Sequence, residues 1–367
     1  MSSSSGDLPP HLLHVLPTAQ SVELIGAFGG KLRHTLVTSD GTLPEGLQAA
    51  SYIKPARNFP ALEGLPLPGR MQKMARAMTA FDLVLTHGPG ALDVAMAHTM
   101  FKDVMNLPAL IHHEHDPDQK RSLKRTWYRR IALGKSAGIV VPGERLEEAA
   151  LVDWQQPMGR VKRISPGIDT KAFAKKPKRD GFRLIKHPGE MWVGVWADSA
   201  DQQGVSMLFR AFAEMETDWQ LIVLGENIQT AALDAEIDRL ELVDRVYFPG
   251  IPRDATKVIG LFDIFVKTAP CREFPVHMVE AMAAAVPVLA VRDGEADQLL
   301  AEANREWLFD ANAESTLAAN LRSLAQDKPL RSAIGEANRL RAMQELDRAK
   351  TIATFRRLYA SAMKREF

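Results

Sequence analysis

Apolar residues in this chain gather into short unbroken runs set between longer amphipathic stretches. The first set of runs is His11–Leu16, Thr35–Thr38, Leu83–Thr86, Leu107–His112 and Gly138–Val141. Runs this brief and rich in Leu, Val and Ile predict strands covered on both faces. The helical stretches between them predict parallel crossovers, hence a doubly wound α/β sheet. Ser165, Pro166 and Gly167 then break the pattern, and the polar, basic stretch Ala174–Arg183 follows, which places a domain boundary near residue 168. The alternation restarts with Met191–Trp196, Trp219–Leu224, Val246–Phe248, Ile264–Lys267, Val286–Val291 and Trp307–Phe309, predicting a second sheet. Two domains, 1–168 and 169–345, are therefore expected, facing each other across a cleft at the carboxyl ends of both sheets. From Leu317 the chain has almost no Gly or Pro, and Leu330, Ile334, Ala337, Leu340 and Met343 recur at helical spacing. A last helix, about 346–367, is expected to pack back on the first domain.

Composition adds exclusions. The 367 residues exceed what one core usually supports, and a formal net charge of +1 gives no global attraction to nucleic acid. A single cysteine, Cys271, rules out an intrachain disulfide framework and suits a reducing compartment. The Ser-rich start, Met1–Pro10, reads as neither signal peptide nor anchor, and no apolar run is long enough to span a bilayer. A cytoplasmic protein, able to sit peripherally on the inner face of the membrane, is expected.

The chemistry concentrates in the second half. A strand ending at Lys267 gives way to a helix with Pro275 near its start, where the missing N–H costs nothing. The free amides of such a helix start suit a diphosphate. Glu280 lies later on the same helix, read either as a solvated surface carboxylate or as an acceptor for a pair of adjacent hydroxyls. The stretch DRVYFPGIPR at Asp244–Arg253, LFDIFV at Leu261–Val266 and REFPVHMVEAMAAAVPVL at Arg272–Leu289 together resemble the signature of the retaining glycosyl transferases group 1, family four. HVLP at His14–Pro17 and ISPGIDTKAF at Ile164–Phe173 fall where that family has its opening strand and its hinge.

The resemblance implies a GT-B fold of two Rossmann-like domains and a nucleoside diphosphate sugar as donor substrate, with no cofactor and no metal. It implies that Glu280 holds the ribose, and that Phe274, Pro275, Val276, Lys267, Gly194 and Gln203 surround the nucleotide. The family's sugar-contacting glutamate falls on Arg272, with Glu273 beside it. Either Glu273 moves into place or Arg272 faces the diphosphate as a charged fork. In VGVWADSADQQGV at Val193–Val205, Val195 stands at the family's arginine position and Gln203 at its lysine position. Cations aimed at a departing diphosphate are a large catalytic term, and Arg272, Lys267 and Lys186 are the candidate replacements. The family's glycine-rich first loop is replaced by Thr18–Ser21, with Gly26, Gly29 and Gly30 arriving later.

In the first domain, LPALIHHEHD at Leu107–Asp116 resembles the strand whose end carries a sugar-facing histidine, matched by His115. Only His113 and His115 share a strand face, too few ligands for a metal. Between Asp118 and Lys135, Arg121, Arg125 and Arg129 recur every four residues, with Trp127 and Tyr128 among them. The segment 118–135 reads either as a cationic stripe for an anionic membrane surface or as a solvated helix face with Trp127 and Ile131 packed inward.

The leading expectation is a retaining hexosyltransferase with a glycan or lipid-linked acceptor, in which His115, Arg272 and Glu273 act on the transferred group. The alternative is a catalytically inactive GT-B partner or scaffold of an active transferase. A nicotinamide dehydrogenase is disfavoured, because no G-x-G-x-x-G follows an early strand.

Overall fold

The computed structural model describes residues 8–44, 46–115, 122–179, 182–271 and 274–367. The chain divides into two compact units, one of residues 1–166 with 351–367 and the other of residues 167–350.

Unit 1 carries a seven-stranded sheet among the described residues: β1 (His11–Val15), β2 (Arg33–Val37), β3 (Ile53–Pro55), β4 (Leu83–His87), β5 (Ala109–His113), β6 (Gly138–Val141) and β7 (Val161–Arg163). Every pairing is parallel, in the order β3-β2-β1-β4-β5-β6-β7. Its crossovers run through α1 (Ala19–Phe28), α2 (Pro68–Met78), α3 (Leu92–Met105), α4 (Leu123–Ala132) and α5 (Glu144–Glu148). Because alternate strand residues face opposite ways, the strands feed two cores. Leu13, Val15, Val84 and Leu110 pack under α2 and α3, while Leu12, Leu85 and Ile111 meet Phe28, Phe355 and Tyr359.

Unit 2 repeats the plan with β8 (Met191–Trp196), β9 (Trp219–Leu224), β10 (Val246–Tyr247), β11 (Ile264–Lys267), β12 (Val288–Val291) and β13 (Leu308–Phe309). They too are all parallel, ordered β10-β9-β8-β11-β12-β13. The helices are α6 (Gln202–Ala213), α7 (Ala231–Arg239), α8 (Val276–Ala283), α9 (Glu295–Leu299), α10 (Glu302–Arg305), α11 (Glu314–Gln326) and α12 (Lys328–Glu345). The last helix, α13 (Arg348–Met363), delivers Phe355 and Tyr359 to the core of unit 1. Among the described residues, no helix is long and apolar enough to cross a membrane.

Two strands escaped the apolar pattern. β3 is an edge strand with Lys54 and Pro55 exposed, and β7 exposes Lys162 and Arg163; with one buried side chain each, neither leaves an apolar run. The helical tail is present, but α12 turns a different face inward. Leu340 and Met343 are exposed, whereas Arg331, Ile334, Gly335, Asn338 and Ala342 are buried. Polar anchoring explains the rotation. Asn338 accepts from the Ala301 amide and donates to Asn304, and a Cβ on Gly335 would lie 2.1 Å from the Ala285 carbonyl oxygen.

Candidate functional site

The strand order of unit 2 reverses direction between β8 and β11, and a crevice opens at such a switch beyond the carboxyl ends of the strands. A cavity of about 750 Å³ lies there. The loop after β8 (Trp196–Asp201), Glu226 and Asn227 after β9, Lys267 at the end of β11, and Phe274–Met278 at the start of α8 form its wall. Glycines let these loops approach. A Cβ on Gly225, at φ +149°, would sit 2.0 Å from the Ala197 carbonyl oxygen, and one on Gly204 would strike Asp201 and Thr268.

The helix start shapes one side. Pro275 is the N-cap of α8 and makes no side-chain cap; the Val276 amide donates to the Phe274 carbonyl at 2.9 Å, and His277 and Met278, the next residues of the first turn, line the cavity. His277 stacks on Trp196 with ring centroids 3.4 Å apart and planes 10° from parallel. Its Nδ1 is 2.8 Å from Oε2 of Glu280. Glu280 itself does not line the cavity; it stands one turn behind and grips a residue that does. Neither Trp196 nor His277 was selected from the sequence, where an aromatic at a strand end and a histidine three residues before Glu280 were the only signals.

Charge is mixed. Asp198, Asp201 and Glu226 face Lys267, whose Nζ donates to the Ala269 carbonyl at 2.8 Å. Burial pushes the Asp201 carboxyl above its ordinary range, against the opposing pull of a hydrogen bond from Thr268 and of Lys267. The loop before α8 is pinned by Asp293, which accepts from the Cys271 amide and, at 2.8 Å, from the Ala296 amide.

The other expected residues scatter. Phe274, Pro275, Val276 and Lys267 are in the cavity wall. Arg272 and Glu273 lie outside the described residues. Gly194 is mid-strand beneath Phe262, whose ring leaves no room for a Cβ (2.2 Å), and Val195 is core; neither reaches the cavity. Gln203 is exposed on α6. Lys186 is removed as a cavity cation. It is buried beside the start of β8, donating to the Leu261 carbonyl at 2.6 Å and paired with Asp263 at 2.5 Å. Burial lowers its pKa, partly offset by Asp263.

In unit 1, His115 follows β5 and is packed near His87 and His113. His112 points to the opposite face, with Nδ1 3.0 Å from the Thr86 hydroxyl. The cationic stripe is not formed as expected. Arg129 is buried and paired with Glu114 at 3.2 Å, and Arg121 lies outside the described residues. Nor does the inward-packed face hold, because Leu123, Trp127 and Ile131 are 79%, 56% and 53% exposed. Spaced by four, they form an apolar stripe on α4, beside exposed Lys124 and Arg125 and with Arg130 over the Trp127 ring at 4.8 Å.

The family model for glycosyl transferases group 1 matches residues 193–341, and that for glycosyltransferase family 4 matches residues 23–172. The chain is 21% identical over 162 residues to N-acetyl-alpha-D-glucosaminyl L-malate synthase of Bacillus anthracis, covering 44% of this chain and 42% of that one. It is 25% identical over 234 residues to the GDP-mannose-dependent alpha-(1-6)-phosphatidylinositol monomannoside mannosyltransferase of Mycolicibacterium smegmatis, covering 59% of each. The match thus spans about two fifths to three fifths of these curated relatives. Among solved structures, Anabaena HepE in complex with UDP superposes with a TM-score of 0.74 at 17% identity, covering 96% of this chain and 100% of that one.

Proposed function

This chain belongs to the GT-B glycosyltransferases of group 1, and on that premise we propose that it moves a hexose from a nucleoside diphosphate sugar to a glycan or lipid-linked acceptor, with retention of configuration. The observation that carries this reading is the switch-point cavity of unit 2, with the start of α8 in its wall. The amides of that helix start and Lys267 hold the diphosphate. Glu280, one turn behind the cavity wall, holds the His277 ring through Oε2 and so fixes the surface that the nucleoside meets. Arg272 and Glu273 complete the diphosphate and sugar contacts. In the reaction the bond from the anomeric carbon to the phosphate oxygen breaks. The acceptor oxygen bonds to the same face of that carbon, and its proton passes to the leaving phosphate, so no protein nucleophile is needed.

Two features of the relatives support the reading: HepE binds UDP, and the mycobacterial relative acts on a phosphatidylinositol mannoside. A lipid-linked acceptor also suits α4, whose Leu123, Trp127 and Ile131 enter the headgroup region while Lys124, Arg125 and Arg130 meet anionic lipid.

Calorimetric titration with UDP-, GDP- and ADP-sugars, paired with detection of released nucleotide, tests the donor site. Saturable binding of one of them, weakened by Glu280→Gln, supports it. Absence of binding by all three overturns it, and binding without turnover in the presence of acceptors turns the reading toward a scaffold.

A further inference from the structure

The histidines at the strand ends of unit 1 form a second constellation. His87 ends β4 and His113 ends β5, and the two are register partners. Paired residues of a parallel sheet project to the same face, so neighbouring strands deliver two imidazoles side by side. His115, two residues further on, returns to that face. The ring centroids lie 4.7 Å apart for His87 and His113, 6.3 Å for His87 and His115, and 6.2 Å for His113 and His115. One nitrogen from each comes within 4.8 Å of the other two.

The outer nitrogens are already oriented. The Ser21 hydroxyl is 3.0 Å from Nδ1 of His87 and 3.4 Å from its Nε2, and Nε2 of His113 is 3.2 Å from the Tyr359 hydroxyl. Nε2 of His115 is buried with no hydrogen-bond partner, a state that costs about 1–3 kcal/mol unless something fills it.

We propose that His87, His113 and His115 form a site for one divalent first-row metal ion of the zinc class, with the fourth position left to water or another donor. The donor set selects the class: three imidazole nitrogens suit zinc, cobalt, nickel or copper, whereas magnesium and calcium require oxygen ligands. Closing the ligands to a tetrahedral separation of about 3.3 Å, set by Zn–N bonds of about 2.0–2.1 Å, asks for a small contraction. His115, beyond the strand, supplies it. Ser21 and Tyr359 act as the outer hydroxyls that fix ring orientation and tautomer. All three ligands belong to unit 1 and the donor cavity is lined by unit 2, so either assignment can fail alone.

The test uses the full chain stripped with a chelator, titrated with Zn²⁺ by calorimetry and with Co²⁺ by visible absorption. One equivalent should bind, with Co²⁺ giving tetrahedral d–d bands that Zn²⁺ abolishes. His115→Gln should weaken binding by about 100-fold or more, beyond the ~10–100-fold typical of losing an outer partner, which is the loss expected for Ser21→Ala. His187→Ala, an exposed histidine in unit 2, should bind as the parent does. Ser21→Ala keeps all three ligands, so a weakened site in this variant, with the circular dichroism spectrum intact, separates ligation from misfolding. Absence of stoichiometric binding by the parent chain, or parent-like Zn²⁺ affinity in His115→Gln, overturns the proposal.

Discussion

The two units build the same kind of sheet and end it in opposite ways. In unit 1, His14, His87 and His113 stand at or next to the carboxyl ends of β1, β4 and β5, all buried, with Phe355 and Tyr359 of α13 packed against His113. In unit 2 the corresponding ends open into a cavity walled by Asp198, Asp201, Glu226 and Lys267. Parallel topology decides where the functional groups gather; burial decides whether they can carry charge. Eight of the ten histidines fall in unit 1 (11, 14, 34, 87, 98, 112, 113 and 115) and two in unit 2 (187 and 277).

That asymmetry predicts that unit 1 yields first to acid. Burial, with a smaller push from His11, lowers His34 to about 4, and burial lowers His98 to about 4 against the hydrogen bond that its Nε2 donates to the Pro108 carbonyl. Between pH 6.5 and 4 the unfolded chain therefore binds protons that the folded unit refuses. Stability is whole above about pH 6.5, falls as the pH drops, and loses no more from these two groups below about 4. Each contributes about 3 kcal/mol to that loss. Hydrogen exchange resolved by peptide should show unit 1 opening before unit 2 as the pH falls; equal opening of both units would contradict the contrast.

The next effect is a single buried ion pair. Glu114 has no exposed surface and accepts from Arg129 at 3.2 and 3.3 Å, while its other oxygen takes the His115 amide at 3.1 Å. Glu114→Gln removes the charge from a buried carboxylate that holds the Arg129 guanidinium and should destabilise unit 1 by about 1–3 kcal/mol, read from denaturant unfolding. In unit 2 a charge change should be felt in binding instead. Lys267 is partly buried and spends its ammonium on a backbone carbonyl. Lys267→Ala should leave unfolding nearly unchanged while raising the donor Kd by about 10–100-fold, the worth of one charge-assisted hydrogen bond at about 1.5–3 kcal/mol. A large stability loss with unaltered donor affinity would reverse the roles of the two regions.

Much of this architecture was legible in the chain. Buried parallel strands leave unbroken apolar runs, so Met191–Trp196, Trp219–Leu224, Ile264–Lys267 and Gly138–Val141 stand at the same positions in pattern and structure. The edge strands β3 and β7 were not legible, because a strand with one buried side chain leaves no run. The helix start at Pro275 and its place beside the cavity followed from the sequence. The resemblance puts Gly194 among the residues around the nucleotide, yet it serves packing under Phe262, a tertiary reason invisible in one dimension. The histidine trio was half legible: HH-E-H shows two imidazoles on one face, but the third arrives only through the register that sets His87 beside His113. The apolar runs Leu83–Thr86 and Leu107–His112 are each followed directly by a histidine, His87 and His113, and that coincidence was the available signal. On α4, spacing by four was read on the arginines, while the exposed stripe runs through Leu123, Trp127 and Ile131; the Arg129–Glu114 pair turns the helix by drawing one arginine inward.

The smallest expected effect sharpens the contrast most, because it concerns the one histidine of unit 2 in the cavity wall. His277 does two things at once: it stacks on Trp196 at 3.4 Å and holds Glu280 Oε2 at 2.8 Å. An aromatic stack is worth about 0.5–1.5 kcal/mol, so His277→Ala should raise the donor Kd by about 3–10-fold with kcat lowered less. His277→Gln separates the two roles, since its amide can still donate to Glu280 but offers no ring to Trp196. If holding Glu280 is what matters, the glutamine variant recovers most of the affinity, and Glu280→Gln made on top of it costs about as much as Glu280→Gln made alone. If the stack matters, glutamine and alanine variants bind alike. Donor affinity unchanged in all of these would mean that the nucleotide does not use this wall, and that the resemblance between the two strand-end clusters extends to neither of them binding it.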